Sequence, residues 1–327
     1  MSVHLEGPLR GFVLAGVVLS TVSCGGSPSA PTPPPTPSTA TVSGQIVAIN
    51  GGMPLSGLSI DASGVAATSD AQGMFNVTIP TGQTAERFVI TGPQILSRTA
   101  FVARGPRAVA LDAIRIDDGT FNAAYYRQIV RNELESTTGL QPLRRWTRAP
   151  LIYLKTVDEA GVPIDPALLE MTESNIRNTV PLLTGRRYEV AVVERGIESR
   201  ETQTGWITVK WPAETDPAAC GRAHVGLELG GTIVLYHKNA SAGIRCGCDG
   251  FPVRHKTVRH EVGHAMGFWH TDRTDDLMNP QNFDCHTVPS AFEQYHAAVA
   301  YARPVGNLEP DNDPSGVIRL RPLMVAN

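Results

Sequence analysis

The stretch His260–His270, HEVGHAMGFWH, sets histidines at offsets zero, four and ten, a glutamate at offset one and a glycine at offset seven. On a helix, residues four apart share a face, so His260 and His264 present two imidazoles to one ion. Glu261 falls one position round, where a carboxylate stands beside the ion's water and not on the ion itself. A helix continued through the segment would carry His270 about 600° round from His264 and too far up the axis to join them. The helix must therefore stop. Gly267 can adopt the left-handed backbone that ends it at little cost, so that His270 folds back as third ligand. Three neutral imidazoles leave zinc one exchangeable position, the arrangement of a catalytic site.

Five fixed letters at this spacing arise by chance in roughly one chain in ten thousand of this length. His260, Glu261, His264, Gly267 and His270 resemble the HExxHxxGxxH signature of the metzincin metalloproteases. Further on, Leu277-Met278-Asn279-Pro280 is similar to their Met-turn, whose methionine lies beneath the ligands as an apolar floor. The resemblance implies a metzincin-like α/β catalytic domain over 118–314, with a twisted mixed sheet, backing helices and a zinc-binding helix. It also implies one catalytic Zn2+ held by His260, His264 and His270, Glu261 as general base, Gly267 and Met278 as structural support, and a protein or peptide substrate. Gly231–Tyr236 is its candidate for the edge strand that aligns an extended substrate. Pro280 stands where an additional tyrosine ligand would follow Met278, so no such ligand is expected, and no cysteine-switch propeptide is visible in the sequence.

Around the motif, strands and helices follow in the order of a layered α/β domain. A helical period starts near Phe121 and runs through Tyr125, Ile129, Val130 and Leu134, with Tyr125 and Tyr126 read as core. Strands are expected at Pro150–Leu154, Tyr188–Val193, Trp206–Trp211, Ala223–Leu227 and Thr232–Tyr236, and helices at Pro166–Pro181 and Ser290–Tyr301. His255 and His286 read as surface histidines, His296 as a packing residue, and Asp311 and Asp313 as a solvated loop rather than a calcium site. Residues 315–327 read as a C-terminal tail.

The N-terminal part is different. Residues 1–24 carry Arg10, the apolar run GFVLAGVVLSTV and then Ser23-Cys24, which is too short for a permanent span and fits an export signal. The stretch resembles a bacterial lipoprotein signal, with Cys24 as the lipidated residue and hence a membrane anchor. Residues 25–40, rich in Pro, Ser and Thr, form an extended tether. Over 41–117, short alternating apolar segments divided by turns predict an antiparallel β-sandwich. Its order, Val42-Ser-Gly44, Pro54-Leu-Ser-Gly57 and Ser69-Asp70-Ala-Gln-Gly73-Met-Phe75, is similar to the carboxypeptidase regulatory-like or transthyretin-like sandwich, with an immunoglobulin-like sandwich as an equal structural alternative. The fold class expected is thus α+β and multidomain.

A hydrophobic content of 42% excludes a disordered scaffold, and a net charge of -3 without a dense Lys/Arg run excludes a nucleic-acid footprint. An exported monomer is expected. Apart from Cys24, four cysteines are left, Cys220, Cys246, Cys248 and Cys285, an even set that suits two disulfides in an oxidising compartment. Cys246 and Cys248 each pair with a distant partner, Cys220 or Cys285; which takes which stays open. The rival reading of the whole chain is a catalytically silent zinc-containing surface lipoprotein that acts as a binding or adhesion module.

Overall fold

The computed structural model describes residues 38–326 apart from 50, 81–84, 104–107, 217, 227, 239–245, 309–310 and 317–321. The expected signal, Cys24 and the tether up to residue 37 lie outside the described residues. Alternation of buried and exposed side chains builds the first seven strands: β1 (Thr39–Ala48), β2 (Ser59–Ala62), β3 (Val65–Thr68), β4 (Met74–Pro80), β5 (Ala85–Thr91), β6 (Arg98–Ala103) and β7 (Val109–Ala113). They form two sheets, ordered β4-β1-β7 and β3-β2-β5-β6. Ile46, Phe75, Val77 and Leu111 of one sheet and Ile60, Phe88, Ile90 and Ala100 of the other bury a common core. One expectation needs correction: the sandwich is not wholly antiparallel, because β7 runs parallel to β1. The chain reaches β7 from β6 in the opposite sheet, and that crossing brings it back in the direction of β1.

The second core is organised by a mixed sheet of six strands. These are β8 (Leu151–Lys155), β9 (Val192–Gly196), β10 (Trp206–Lys210), β11 (Gly221–His224), β12 (Gly231–Leu235) and β13 (Met324–Ala326), in the order β13-β11-β12-β10-β8-β9. The central parallel strands LIYLK, WITVK and GTIVL read as near-continuous apolar runs because helices and loops cover them. Gly231–Tyr236 is therefore not an edge. β12 pairs with β10 on one side and with β11 on the other, and β11 is in turn covered by β13. Residues 324–326 of the expected tail thus belong to the sheet.

Four helices accompany this sheet among the described residues: α1 (Ala123–Arg131), α2 (Pro166–Leu183), α3 (His255–Met266) and α4 (Ala291–Tyr301). The Asn122 side chain caps α1, which ends at Asn132 in a left-handed conformation, so Leu134 falls outside the helix and is exposed. Asp165 caps α2 with Pro166 in its first turn, and the helix passes Pro181 to end at Leu183. The strand expected at Tyr188–Val193 forms later, at β9, after an extended lead-in anchored by the Ala191 amide on the Pro150 carbonyl at 3.0 Å. Buried among α2, β11 and β12, α3 hides nearly its whole circumference, which fits a helix that carries a site and not a surface.

Candidate metal centre

His260 and His264 lie on one face of α3, and Gly267 terminates it with φ 113° and ψ 12°. The Phe268 amide closes the end by donating to the Gly263 carbonyl at 3.0 Å. A side chain at residue 267 would also run into the Arg144 carbonyl, so both conformation and space demand glycine. The returning chain is pinned to α1 where the Trp269 amide donates to the Ile129 carbonyl at 2.8 Å. That return brings His270 Nε2 to 3.1 Å from His264 Nε2 and 3.2 Å from His260 Nε2. Together the three imidazoles form a group that can hold a metal ion.

The other ring nitrogen of each histidine is engaged. His260 Nδ1 faces the Leu277 carbonyl at 2.7 Å, His264 Nδ1 the Phe268 carbonyl at 2.8 Å, and His270 Nδ1 makes a close hydrogen bond to Glu135. An acceptor is the nearest partner of each Nδ1, closer at His260 than the Lys256 ammonium at 3.2 Å, and this assigns the proton to Nδ1, so the Nε2 lone pairs are what converge. Burial holds His260 and His264 well below the ordinary histidine range, which keeps them neutral. Neutral imidazoles with bare Nε2 atoms aimed at one point, each steadied by an outer acceptor, match the donor chemistry of a borderline divalent cation.

Glu261 is 0% exposed, and neither carboxylate oxygen has a hydrogen-bond partner among the described residues. Burial raises its pKa well above the ordinary carboxylate value, against the pull of Lys256 and Arg222. It lies against the start of β11, where a Cβ at Gly221 would come within 2.5 Å of Glu261 Oε1. A side chain at residue 221 would take the space of that carboxylate.

Beneath α3, Met278 Sδ packs against Gly263, leaving no room for a side chain there. The turn that carries Met278 also supplies the Leu277 carbonyl to His260, and it is itself held by Glu293. Glu293 accepts from the amides of Leu277 (3.0 Å), Met278 (2.8 Å) and Ser290 (2.8 Å), the last closing a capping box at the start of α4. Burial, reinforced by the negative charge of Asp276, pushes Glu293 up to about 7. Asp276 accepts from Ser290 at 2.9 Å and from the Tyr125 hydroxyl at 2.5 Å, so Tyr125 is core with a polar task.

Sequence reasoning missed Glu135 and Glu293. The pattern Ser290-x-x-Glu293 does signal a helix start, though not the reach of that carboxylate to the Met278 turn. His296 is a packing residue as expected: it accepts from the Asn122 amide at 3.0 Å and faces the Phe292 carbonyl at 2.8 Å. His255 and His286 are brought together with Asp249 in a second cluster, partly exposed, beside a disulfide and apart from the triad. Disulfides join Cys220 to Cys246 and Cys248 to Cys285, which resolves the open pairing and suits an oxidising environment. Among the described residues, no helix is long and apolar enough to cross a membrane.

No family model and no curated protein matches the chain. Among solved structures, a metalloproteinase-II from Bacteroides fragilis is similar at 12% identity over 81% of this chain and 87% of that one, with a TM-score of 0.31. A chain of a type II cohesin-X-dockerin complex from Acetivibrio cellulolyticus is similar at 20% identity over 22% of this chain and 49% of that one, with a TM-score of 0.16. At these scores neither likeness carries an argument about the fold, and the site stands on its own geometry.

Proposed function

We propose that the chain is an exported zinc-dependent endopeptidase, with His260, His264 and His270 as ligands and Glu261 as general base. One observation carries the reading: the Nε2 atoms of His260 and His264 both lie within 3.2 Å of His270 Nε2, with a buried, unpartnered carboxylate at the adjacent helical position. Three imidazoles suit tetrahedral zinc with one exchangeable position. Held by these three histidines, a zinc ion would supply Lewis-acid polarisation of the scissile carbonyl and a water of lowered pKa. Glu261 would accept a proton from the attacking water as its oxygen bonds to the scissile carbonyl carbon, and deliver it to the amine nitrogen as the C–N bond breaks. Its desolvation favours the neutral acid, while the ammonium of Lys256 and the charge of a dication favour the ionised form it needs as a base. Gly221 keeps room for the carboxylate, and the Met278 turn fixes His260 through Leu277. Attachment to a membrane through a lipid on Cys24 completes the proposal, and the mature protein acts as a monomer.

The alternative, a zinc-containing binding module without turnover, has one observation in its favour: Glu261, His260 and His264 are all fully buried. A single experiment separates the two. Metal-loaded protein is given a mixed peptide library, with a chelator control and a Glu261→Gln variant. The variant should keep its metal and lose on the order of 10²–10⁴-fold in peptide hydrolysis. Equal turnover by the variant, or none by the metal-loaded wild type, would refute the peptidase assignment.

A further inference from the structure

Between the first turn of α3 and the segment after Met278 lies a cavity of about 110 Å³, room for several waters. It adjoins the metal centre on two sides. Cys220 lines it one residue before Gly221, which faces Glu261, and Lys256 lines it while its Nζ lies 3.2 Å from His260 Nδ1. Pro280 and Phe283 also line it.

Two cations border this space. Arg254 is 8% exposed and Lys256 1%. Lys256 donates to the Asn279 carbonyl at 3.0 Å. The Arg254 side chain makes no hydrogen bond or ion pair among the described residues, and its guanidinium lies 5.4 Å from the centre of the Phe283 ring. Glu261 and Glu293 are the acidic groups that act on Lys256, and both belong to the centre described above. An arginine with most of its side chain buried and no counter-ion is stabilised where an anion meets its guanidinium. Packing on one ring face leaves its planar fork of donors free, and that fork matches a carboxylate.

We infer that this cavity is a subsite for an acidic side chain, Asp or Glu, of the bound peptide, and that Arg254 sets the selectivity. The inference rests on the peptidase reading. It also limits the substrate class: peptides with a carboxylate one or a few residues from the cleaved bond are favoured, and those with a Lys or Arg there are rejected by the charge of Arg254 and Lys256.

The test is a peptide set that differs at one position at a time on either side of the scissile bond. Wild-type protein should prefer Glu or Asp over Gln or Asn by about tenfold or more at one position, the scale of a charge-assisted hydrogen bond. Arg254→Gln should reduce that ratio to near one and leave the metal content unchanged. Arg254→Glu should shift the preference towards Lys or Arg. A flat profile in the wild type, or one unchanged in both variants, overturns the inference. If the chain hydrolyses nothing, calorimetry decides the matter with two peptides that differ only as Glu against Gln, titrated into metal-loaded protein. Tighter binding of the Glu peptide by about tenfold, lost in Arg254→Gln, upholds the subsite while the peptidase reading falls. Equal binding overturns the subsite as well.

Discussion

At the scale of single residues, the informative atoms are the three Nδ1 positions, because they decide what the Nε2 atoms can do. Glu135 is the only carboxylate among those outer acceptors, and it comes from a segment far from α3 in the chain. A carboxylate behind an imidazole raises its basicity and fixes its orientation. Glu135→Ala should therefore lower zinc affinity by roughly 10–100-fold in a chelator-competition titration. An affinity equal to wild type would show that the Glu135 contact does not tune the site. Nothing near Glu135 in the sequence marks it, since its task exists only once His270 has been turned back. His260, Glu261, His264, Gly267 and His270 were legible for the opposite reason: helical period and the glycine stop are local rules, and they assemble the triad without reference to the rest of the chain.

Among elements, the short turn at Met278 depends on α4. Glu293 caps its own helix and at the same time holds two amides of that turn, so its ionisation is coupled to the placement of His260. Its native pKa of about 7 stands above the ordinary 4.5. A raised carboxyl pKa means that the fold binds the proton more tightly than the unfolded chain does. The stability it contributes is thus fully present below about 4.5 and is lost as pH rises through about 7. Chemical denaturation of the metal-free protein across that window should show this decline, and Glu293→Gln should flatten it; a variant with the same pH slope as wild type would contradict the assignment. Legibility drops at this scale. Strand positions were readable from apolar runs, but strand order was not, because β11 and β13 are joined by pairing between distant segments. That is why Gly231–Tyr236 looked like an edge and is interior.

For the molecule as a whole, the sandwich is fastened to the rest by a buried ion cluster. Arg303 grips Asp311 through two hydrogen bonds of 2.7 and 2.9 Å and also pairs with Asp112 of β7. Arg98 of β6 pairs with Asp313 at 3.1 Å. Asp311 and Asp313 thus serve as partners of arginines across the junction, where the sequence suggested a solvated loop. Ile114, just after β7, joins the core of the second layer set, with Ile49 and Leu96 packed beside it. Removing one member leaves the others charged and buried, so Arg303→Ala should cost about 3–5 kcal/mol. Calorimetry of the wild type should give a single transition for both cores; two well-separated transitions would show that the junction does not couple them.

The covering of β11 by β13 has a further consequence for behaviour in solution. Only three register pairs, Arg222–Ala326, Ala223–Val325 and His224–Met324, occupy the outer backbone groups of β11. With those groups satisfied, a neighbouring molecule cannot add to β11, and the edge on that side of the sheet is the short β13 instead. A chain trimmed of its last few residues would replace that short edge by β11, and its light scattering should climb with concentration more steeply than the intact chain's.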